Sequence, residues 1–326
     1  MDIYFLEEYG KICELIENGN CETFYFENEL GTVSHMFIKR KIETLVEGKQ
    51  YFDLVTPYGY GGPVMRVYDD SSKNDLCADY IKSFEKYCLE NNIVSEFVRF
   101  HPIFNNALDF KTVYSCQYNR NTLGTNLADF EDPVKEEFSK GCRKSIRQAL
   151  RKGISYKLTK APSNIDSFID IYYSTMKRDA AEEFYFFGKD YFDMILSKLK
   201  DNVLFVEALY EEKTIAAGLY FISDNIIHTH LSGTLSDYLY LSPAYILRYA
   251  ATLWGKEKGY KLIHHGGGTS GDRENSLFKF KKQFAKNTEF PFYVGKKIWN
   301  DRIYKKLCEL NPGCENSSYF PQYRSK

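Results

Sequence analysis

Two histidine-bearing segments of this chain are the first candidates for chemistry. His230 lies in HTHLSGT and His264 in LIHHGGG, and both segments read as β-strands that run into glycine-bearing loops. A neutral imidazole accepts a proton near pH 7, so either histidine could act as a general base. Gly266 and Gly267 would let a ligand approach the backbone closely at the second strand end. The alternative is that each histidine is a buried polar residue near the end of a sheet.

A helix must bring these two strand ends to one edge of a sheet. The intervening sequence LSPAYILRYAATLWGKEKGYK has Pro243 at a helix start, apolar residues at helical spacing and Gly259 beyond its end. Two strands joined through one helix run parallel, and the carboxyl ends of parallel strands form the ligand edge of α/β folds. The pattern therefore predicts an α/β unit with both histidines at its ligand edge.

The order of elements in this unit occurs twice along the chain. A hairpin, a strand with a glycine-bearing loop, a helix and a strand ending near a histidine are predicted in each half, although the residue identities do not repeat. A chain of 326 residues is long enough for about two domains. We predict two similar α/β domains at 1–132 and 153–326, joined by a basic helix at 133–152, with the C-terminal tail packing back on the first domain.

The composition excludes several classes of protein. A net charge of -1 gives no overall attraction for polyanions. The acidic N-terminus lacks the pattern of a signal peptide, and no segment offers about 18 uninterrupted apolar residues, so we expect a cytoplasmic protein without stable membrane insertion. The eight cysteines form no C-x-x-C pair, which favours reduced thiols and predicts no metal site.

A basic helix and an aromatic segment are candidate binding elements. Cations recur at helical spacing in KGCRKSIRQALRK, and the predicted phosphate contacts are Lys144, Arg147 and Arg151. A solvated basic face is the alternative. Further on, Arg178 ends a predicted helix and could reach a substrate anion. Tyr185 supplies the hydroxyl of the aromatic run EFYFF, which is either the wall of a groove or core.

Seven motifs together resemble those of the FemABX peptidyltransferases, which belong to the GNAT superfamily. They are TPYGYGGP, FVRFHP, KSIRQALRKG, YYSTMKRDA, HLSGT, HHGGG and SLFKFKKQF, spread over most of the chain. The resemblance implies two tandem GNAT-like domains, with mixed sheets flanked by helices, and N-acyl transfer. Members of the family move an aminoacyl group from aminoacyl-tRNA to an amine of a peptidoglycan precursor, and looser relatives are acyl-CoA N-acyltransferases.

The resemblance also assigns roles to particular residues. The Fem pattern R-F-K-x-x-F-G corresponds to KFKKQFA at 279–285, with Ala285 in place of the final glycine. The resemblance implies that Phe280 lies at the active site and that Lys281 stabilises the oxyanion or holds the donor. A surface lysine on a basic helix is the alternative. The residues of the first half that are expected to face the acceptor are Tyr58, Tyr60, Arg99 and His101.

The loop after the first histidine strand bears on the donor. Typical GNAT enzymes have a Q/R-x-x-G-x-G/A sequence there, whereas this chain has TLSDYLYLSP. Without the second glycine, coenzyme A would lose its usual nest of backbone N–H groups. Aminoacyl-tRNA is therefore the expected donor and acyl-CoA the alternative, with no tightly bound cofactor. The expected acceptor is a peptidoglycan-type precursor or another small amine. The rival from a different class is a GNAT-like binding module that has lost the chemistry.

Overall fold

The computed structural model describes residues 1–311, 313 and 317–325. The chain divides into two compact units: unit 1 comprises Met1–Ile3 and Arg120–Phe290, and unit 2 comprises Tyr4–Asn119 and Pro291–Lys326. The predicted domain boundaries near 132 and 152 fall inside unit 1. The C-terminal segment belongs to the same unit as most of the first half. Cys314 lies outside the described residues.

The secondary structure alternates between strands and helices along the whole chain. The strands are β1 (Gly19–Asn28), β2 (Gly31–Lys41), β3 (Phe52–Val55), β4 (Val64–Val67), β5 (Ile93–Arg99), β6 (Ser115–Asn126), β7 (Ser155–Lys160), β8 (Val203–Tyr210), β9 (Lys213–Ser223), β10 (Ile226–Thr234), β11 (Leu262–Gly266) and β12 (Thr288–Ile298). The helices are α1 (Glu7–Glu17), α2 (Lys73–Glu90), α3 (Pro133–Glu137), α4 (Lys140–Arg151), α5 (Asp166–Arg178), α6 (Lys189–Lys198), α7 (Pro243–Glu257), α8 (Ser276–Lys282) and α9 (Asp301–Glu309).

Unit 2 is built on a mixed sheet with the strand order β1-β2-β3-β5-β12, and β4 pairs with β2. β1 and β2 form the predicted hairpin, which closes at the Asn28 and Gly31 pair. β3 and β5 run parallel because α2 connects them on one face. Buried aromatic residues of α2, including Tyr80 and Phe84, pack against this sheet and form the core of the unit.

Unit 1 repeats this arrangement in its strand order β6-β11-β10-β9-β8-β7. β8 and β9 form a hairpin, β10 pairs antiparallel with β9, and α7 connects β10 to the parallel strand β11. The order hairpin, strand, helix, strand is thus the same in both units, and the predicted duplication of the architecture is confirmed. No helix among the described residues is long and apolar enough to span a bilayer.

Two helix predictions needed local correction. The sequence Ser242-Pro243 predicts an N-cap followed by a first-turn proline. α7 begins at Pro243 as predicted, but Ser242 has a left-handed backbone (φ +56°) and its side chain makes no capping hydrogen bond. The basic segment predicted as one helix is two, because the chain is extended at Phe138 and Ser139 between α3 and α4. The Ser139 side chain accepts a hydrogen bond from the Cys142 amide at 3.1 Å, so Ser139 is the N-cap of α4.

Gly233 near the end of β10 lets α5 lie directly against the strand. A Cβ atom added there would lie 2.8 Å from the Ile171 carbonyl oxygen and 2.9 Å from Thr175 Oγ1. We expect Gly233→Ala to destabilise the protein by about 1–3 kcal/mol, because backbone must move to make room. Gly141→Ala is the matched control: the helical site is open, with the nearest atom 3.9 Å away, and alanine should stabilise by up to about 1 kcal/mol. Urea unfolding measures both changes, and equal effects would contradict this packing.

Candidate active site

The parallel strands β10 and β11 form a short ladder and then stop pairing. Their hydrogen-bonded register covers Ile226–His228 opposite Leu262–His264, while β10 continues to Thr234. On its other side, the register of β10 against β9 shifts between His228 and Leu231, which marks a bulge. Bulges re-aim side chains and increase local twist. At the end of this ladder, His228 and His264 lie side by side.

A hydrogen-bonded chain of three buried side chains crosses the ladder end. Asp2 Oδ2 lies 2.8 Å from His228 Nε2, and His228 Nδ1 lies 3.3 Å from His264 Nδ1. The carboxylate only accepts, so His228 Nε2 carries a proton and its Nδ1 accepts from His264 Nδ1–H. The proton-accepting lone pair of His264 is therefore on Nε2. The sequence prediction named His264 but missed His228 and Asp2.

His230, the other predicted base, lies in a different environment. Its ring stacks on Phe221 with centroids 4.2 Å apart, and its Nε2 lies 2.7 Å from the Tyr191 hydroxyl. Burial, with a smaller contribution from His228, lowers the pKa of His230 to about 3. A group with so low a pKa is a weak proton acceptor near pH 7. This environment disfavours His230 as the base and leaves His264 as the candidate.

Lys281 on α8 points its ammonium group into the glycine loop that follows β11. Its Nζ donates a hydrogen bond of 2.7 Å to the Gly267 carbonyl oxygen, only three residues after His264 in the chain. Burial lowers the pKa of Lys281 to about 7, and the charges of Arg248 and Arg120 act in the same direction. Such a shift is typical of functional lysines. Lys281 is half-buried, and its place in an active site stays a prediction.

The glycine loop is held by tight backbone packing. Gly266 is the last residue of β11 and pairs with Leu123 of β6. A Cβ atom on Gly267 would lie 2.9 Å from Arg120 Cδ and 3.1 Å from a backbone oxygen. Arg120 Nη1 also donates to the Gly268 carbonyl at 2.6 Å. The loop therefore presents its carbonyl groups to two cations, Arg120 and Lys281.

Phe280 contacts an arginine that the sequence prediction did not single out. The guanidinium carbon of Arg248, on α7, lies 4.8 Å from the Phe280 ring centroid. Phe280 is half-buried and also meets Tyr245 edge to face, with centroids 5.4 Å apart. The position of Arg248 inside an otherwise apolar helical pattern is the only signal in the sequence that could have suggested a special role.

The other predicted binding residues of unit 1 are more exposed. Arg178 donates to the Thr234 carbonyl at 2.7 Å and pairs with the neighbouring Asp179, so it lies at the end of β10. Tyr185 is exposed, and its carbonyl accepts from the Tyr172 hydroxyl at 2.7 Å. The three predicted phosphate contacts lie exposed on α4 and are Lys144, Arg147 and Arg151. Among the described residues, no carboxylate forms an ion pair with any of these three side chains.

Unit 2 brings its own predicted residues together at the turn after β3. The Tyr60 ring centroid lies 5.9 Å from that of His101, which is fully buried. Arg99 forms an ion pair with Glu17 and donates to the Thr56 carbonyl at 2.6 Å. The Tyr58 carbonyl accepts from the Tyr9 hydroxyl at 2.6 Å. Contact of these residues with an acceptor stays a prediction, and the ion pair of Arg99 would compete with an acceptor anion.

Comparison with known proteins agrees with this geometry. Residues 137–282 match the acetyltransferase (GNAT) domain family, and the matched region contains β10, β11, α7 and Lys281. No curated protein sequence matches the chain significantly. This part of the chain is therefore similar to GNAT acetyltransferase domains, and the match supports an acyltransferase.

Solved structures extend the likeness to nearly the whole chain. FemX is 13% identical, with a TM-score of 0.67 and coverage of 94% of each chain. The C-terminal domain of a candidate lysylphosphatidylglycerol synthetase from Agrobacterium fabrum is 14% identical, with a TM-score of 0.56 and coverage of 91% of this chain and 93% of that one. L-PGS from Bacillus licheniformis is 14% identical, with a TM-score of 0.55 and coverage of 88% and 91%. At these identities the likeness shows the fold, and the predicted FemABX-like GNAT fold is confirmed.

Proposed function

We propose that this acyltransferase moves an aminoacyl group to an amine of a cell-envelope precursor of the peptidoglycan type. The observation that carries the proposal is the hydrogen bond of the Lys281 ammonium group to the Gly267 carbonyl, three residues beyond His264. Burial at this position lowers the pKa of Lys281 to about 7. A cation in a poorly solvated site stabilises a developing oxyanion far better than it would in water. The likeness to FemX and to a lysylphosphatidylglycerol synthetase supports aminoacyl donors and envelope acceptors.

The proposed reaction is attack of the acceptor nitrogen on the donor carbonyl carbon. His264 Nε2 takes the proton that the nitrogen loses, and the charge on this imidazolium is stabilised through His228 by Asp2. Lys281 holds the oxyanion of the tetrahedral intermediate. When the intermediate collapses, the bond to the leaving group breaks, His264 returns the proton to that group, and a new amide remains. Atoms and charge balance without a metal or redox cofactor.

The loop between β10 and α7 supports aminoacyl-tRNA as the donor. The backbone amides of Tyr238, Ser242 and Tyr245 donate to carbonyl groups within this loop and the first turn of α7. A loop that binds coenzyme A needs free backbone amides for the pyrophosphate. These three amides are already hydrogen-bonded and are not available for that role. The exposed cations of α4 would contact tRNA phosphates instead. Aminoacyl-tRNA also implies a cytoplasmic location, which is part of the proposal.

The donor class is tested by thermal unfolding with each ligand, since a ligand that binds the native state raises the melting temperature. We expect no saturable rise with coenzyme A or acetyl-CoA at about 1 mM, more than 10-fold above micromolar dissociation constants. Aminoacyl-tRNA should bind with strong salt dependence, and the triple variant Lys144→Gln, Arg147→Gln, Arg151→Gln should flatten that dependence. A saturable coenzyme A response would instead assign the protein to acyl-CoA-dependent N-acyltransferases.

A further inference from the structure

Arg248 is a buried cation without a counter-ion. Only 4% of the residue is exposed, and no carboxylate is among the described groups whose charge acts on it. Its Nε has no hydrogen-bond partner, and its Nη1 has only a long contact of 3.5 Å to the Ala244 carbonyl of its own helix. A guanidinium group carries five N–H donors and stays protonated in proteins. Most of the donor capacity of Arg248 is therefore unused.

The surroundings of Arg248 do not supply negative charge. Its guanidinium carbon lies 4.8 Å from the Phe280 ring centroid and 5.3 Å from that of Phe284. Burial raises the pKa of the nearby Cys142 thiol to about 12 and also raises the pKa of Tyr220, so both are neutral near pH 7. Cation–π contacts contribute about 0.5–2 kcal/mol each. This is less than the several kcal/mol that it costs to bury an ion.

Two further buried polar groups, in residues whose pKa the charge of Arg248 lowers, also lack partners. The Tyr220 hydroxyl and His265 Nδ1 are buried without a hydrogen bond among the described residues. The Thr125 hydroxyl donates its only proton to the Phe284 carbonyl at 2.7 Å. His265 Nε2, which lies 2.9 Å from Thr125 Oγ1, must therefore donate to the Thr125 hydroxyl. His265 Nδ1 is then an acceptor. Three unsatisfied polar groups around one core cluster are unusual, because buried polar atoms are nearly always hydrogen-bonded.

Lys281 adds a second cation to the same region. It follows Phe280 directly on α8, and the positive charge of Arg248 acts on Lys281 as well as on His265. Two like charges in a poorly solvated site repel each other unless an anion lies between or beside them. The buried charge of Arg248 therefore lowers the stability of the unliganded protein. A bound oxyanion would reduce this loss of stability.

We propose that Arg248 and the Tyr220 hydroxyl form an internal binding site for an oxyanion group of a substrate, beside Lys281. The occupant is a phosphate or carboxylate group, because a planar guanidinium binds both with paired hydrogen bonds. The proposal rests on the proposed function only in taking this group to belong to the donor or the acceptor. By anchoring that group, Arg248 would position the substrate whose carbonyl or amine reacts near Lys281.

The site is tested by anion binding, without any transfer reaction. Melting temperatures are measured with inorganic phosphate and with acetate, each from 0 to about 50 mM, at an ionic strength held constant with sodium chloride. The wild type should show a saturable rise of a few degrees with at least one of them. Arg248→Met, which keeps the side-chain stem, should lose the rise and melt at or above the wild-type temperature in chloride alone.

Two further variants complete the experiment. Arg273→Gln removes an exposed arginine of the same unit that pairs with Glu289, and it should keep the wild-type response. Arg248→Lys keeps the charge without the planar fork and should weaken binding at least 10-fold; it also serves if the methionine variant does not fold. A stronger response to phosphate assigns the site to a phosphoryl group, and a stronger response to acetate assigns it to a carboxylate.

The proposal is overturned if the wild type shows no saturable response to either anion, or if Arg248→Met or Arg248→Lys responds as the wild type does. A lower melting temperature of Arg248→Met in chloride would mean that Arg248 is a structural residue stabilised by its aromatic contacts. Because no donor or acceptor takes part, these results are independent of whether the protein transfers aminoacyl groups.

Discussion

Replacing Lys281 with methionine should abolish transfer while stabilising the protein at pH 7. Removal of one oxyanion-stabilising group costs about 10²–10³ in kcat in well-studied enzymes, and we expect a loss of at least that size. The stability gain arises because the folded protein holds an ammonium group in a site that lowers its pKa to about 7. A neutral side chain of similar length avoids this desolvation, so the free energy of unfolding at pH 7 should rise by about 4 kcal/mol.

The pH dependence of this gain has a definite sign. The Lys281 pKa is about 7 in the folded protein and about 10.4 in the unfolded chain. Between these values the unfolded state binds more protons, so the stability of the wild type rises with pH. The advantage of Lys281→Met should therefore be full below pH 7 and vanish by about pH 10. Urea unfolding of both proteins across this range measures the difference.

A control and the rate profile separate the roles that Lys281 could have. Lys279→Met alters an exposed lysine of the same helix that pairs with Glu274, and it should leave rate and stability nearly unchanged. If the charged form of Lys281 acts, kcat/KM should fall as pH rises through about 7. A rise through the same region would show instead that the neutral amine acts as a base. Full activity of Lys281→Met would remove Lys281 from the mechanism altogether.

Replacing His264 with asparagine should lower kcat by about 10²–10⁴, the usual contribution of a general base. The shorter asparagine side chain would still offer an amide to His228, so the buried contact is partly kept while the proton acceptor is lost. Asp2→Asn should cause a smaller loss, because the base remains but the carboxylate that stabilises its imidazolium is gone. The loss in Asp2→Asn should appear in kcat rather than in KM, because the carboxylate acts on the imidazolium that forms during the reaction.

The same two variants test whether the hydrogen-bonded chain of Asp2, His228 and His264 takes part in catalysis. Melting temperatures of both proteins check that the fold is intact, since all three side chains are buried. A normal rate in a folded His264→Asn protein would mean that the substrate or water moves the proton. An unchanged kcat in a folded Asp2→Asn protein would mean that Asp2 and His228 serve the structure alone.

Local patterns in the sequence predicted much of the fold. Pro243, the apolar spacing that follows it and Gly259 define α7 within one segment, and alternation with turn residues defines the hairpins. A strand, helix and strand in sequence fix the parallel pair β10 and β11 by chain geometry alone. The positions of His264 and Gly267 at one strand end followed directly. The break at Ser139 was missed because the basic periodicity runs across it.

The remaining parts of the site depend on contacts between distant residues. Asp2 meets His228 across 226 positions of the chain, and no local pattern signals such a partner. The lowered pKa of Lys281 and the missing counter-ion of Arg248 result from burial, which the spacing of charged residues does not reveal. His230 and His264 look equivalent in sequence, and only the bulge in β10 and the aromatic neighbours of His230 distinguish them.

The most direct test of the proposed aminoacyl transfer is a transfer assay followed by mass spectrometry. Purified protein is mixed with a pool of charged aminoacyl-tRNAs and a nucleotide-linked peptidoglycan precursor that carries a free amine, and parallel reactions contain acetyl-CoA or the Lys281→Met variant. We predict that the wild type adds the mass of an aminoacyl residue to the precursor from charged tRNA, and that Lys281→Met does not. Modification of the precursor from acetyl-CoA alone, or equal yields from both proteins, would contradict this prediction.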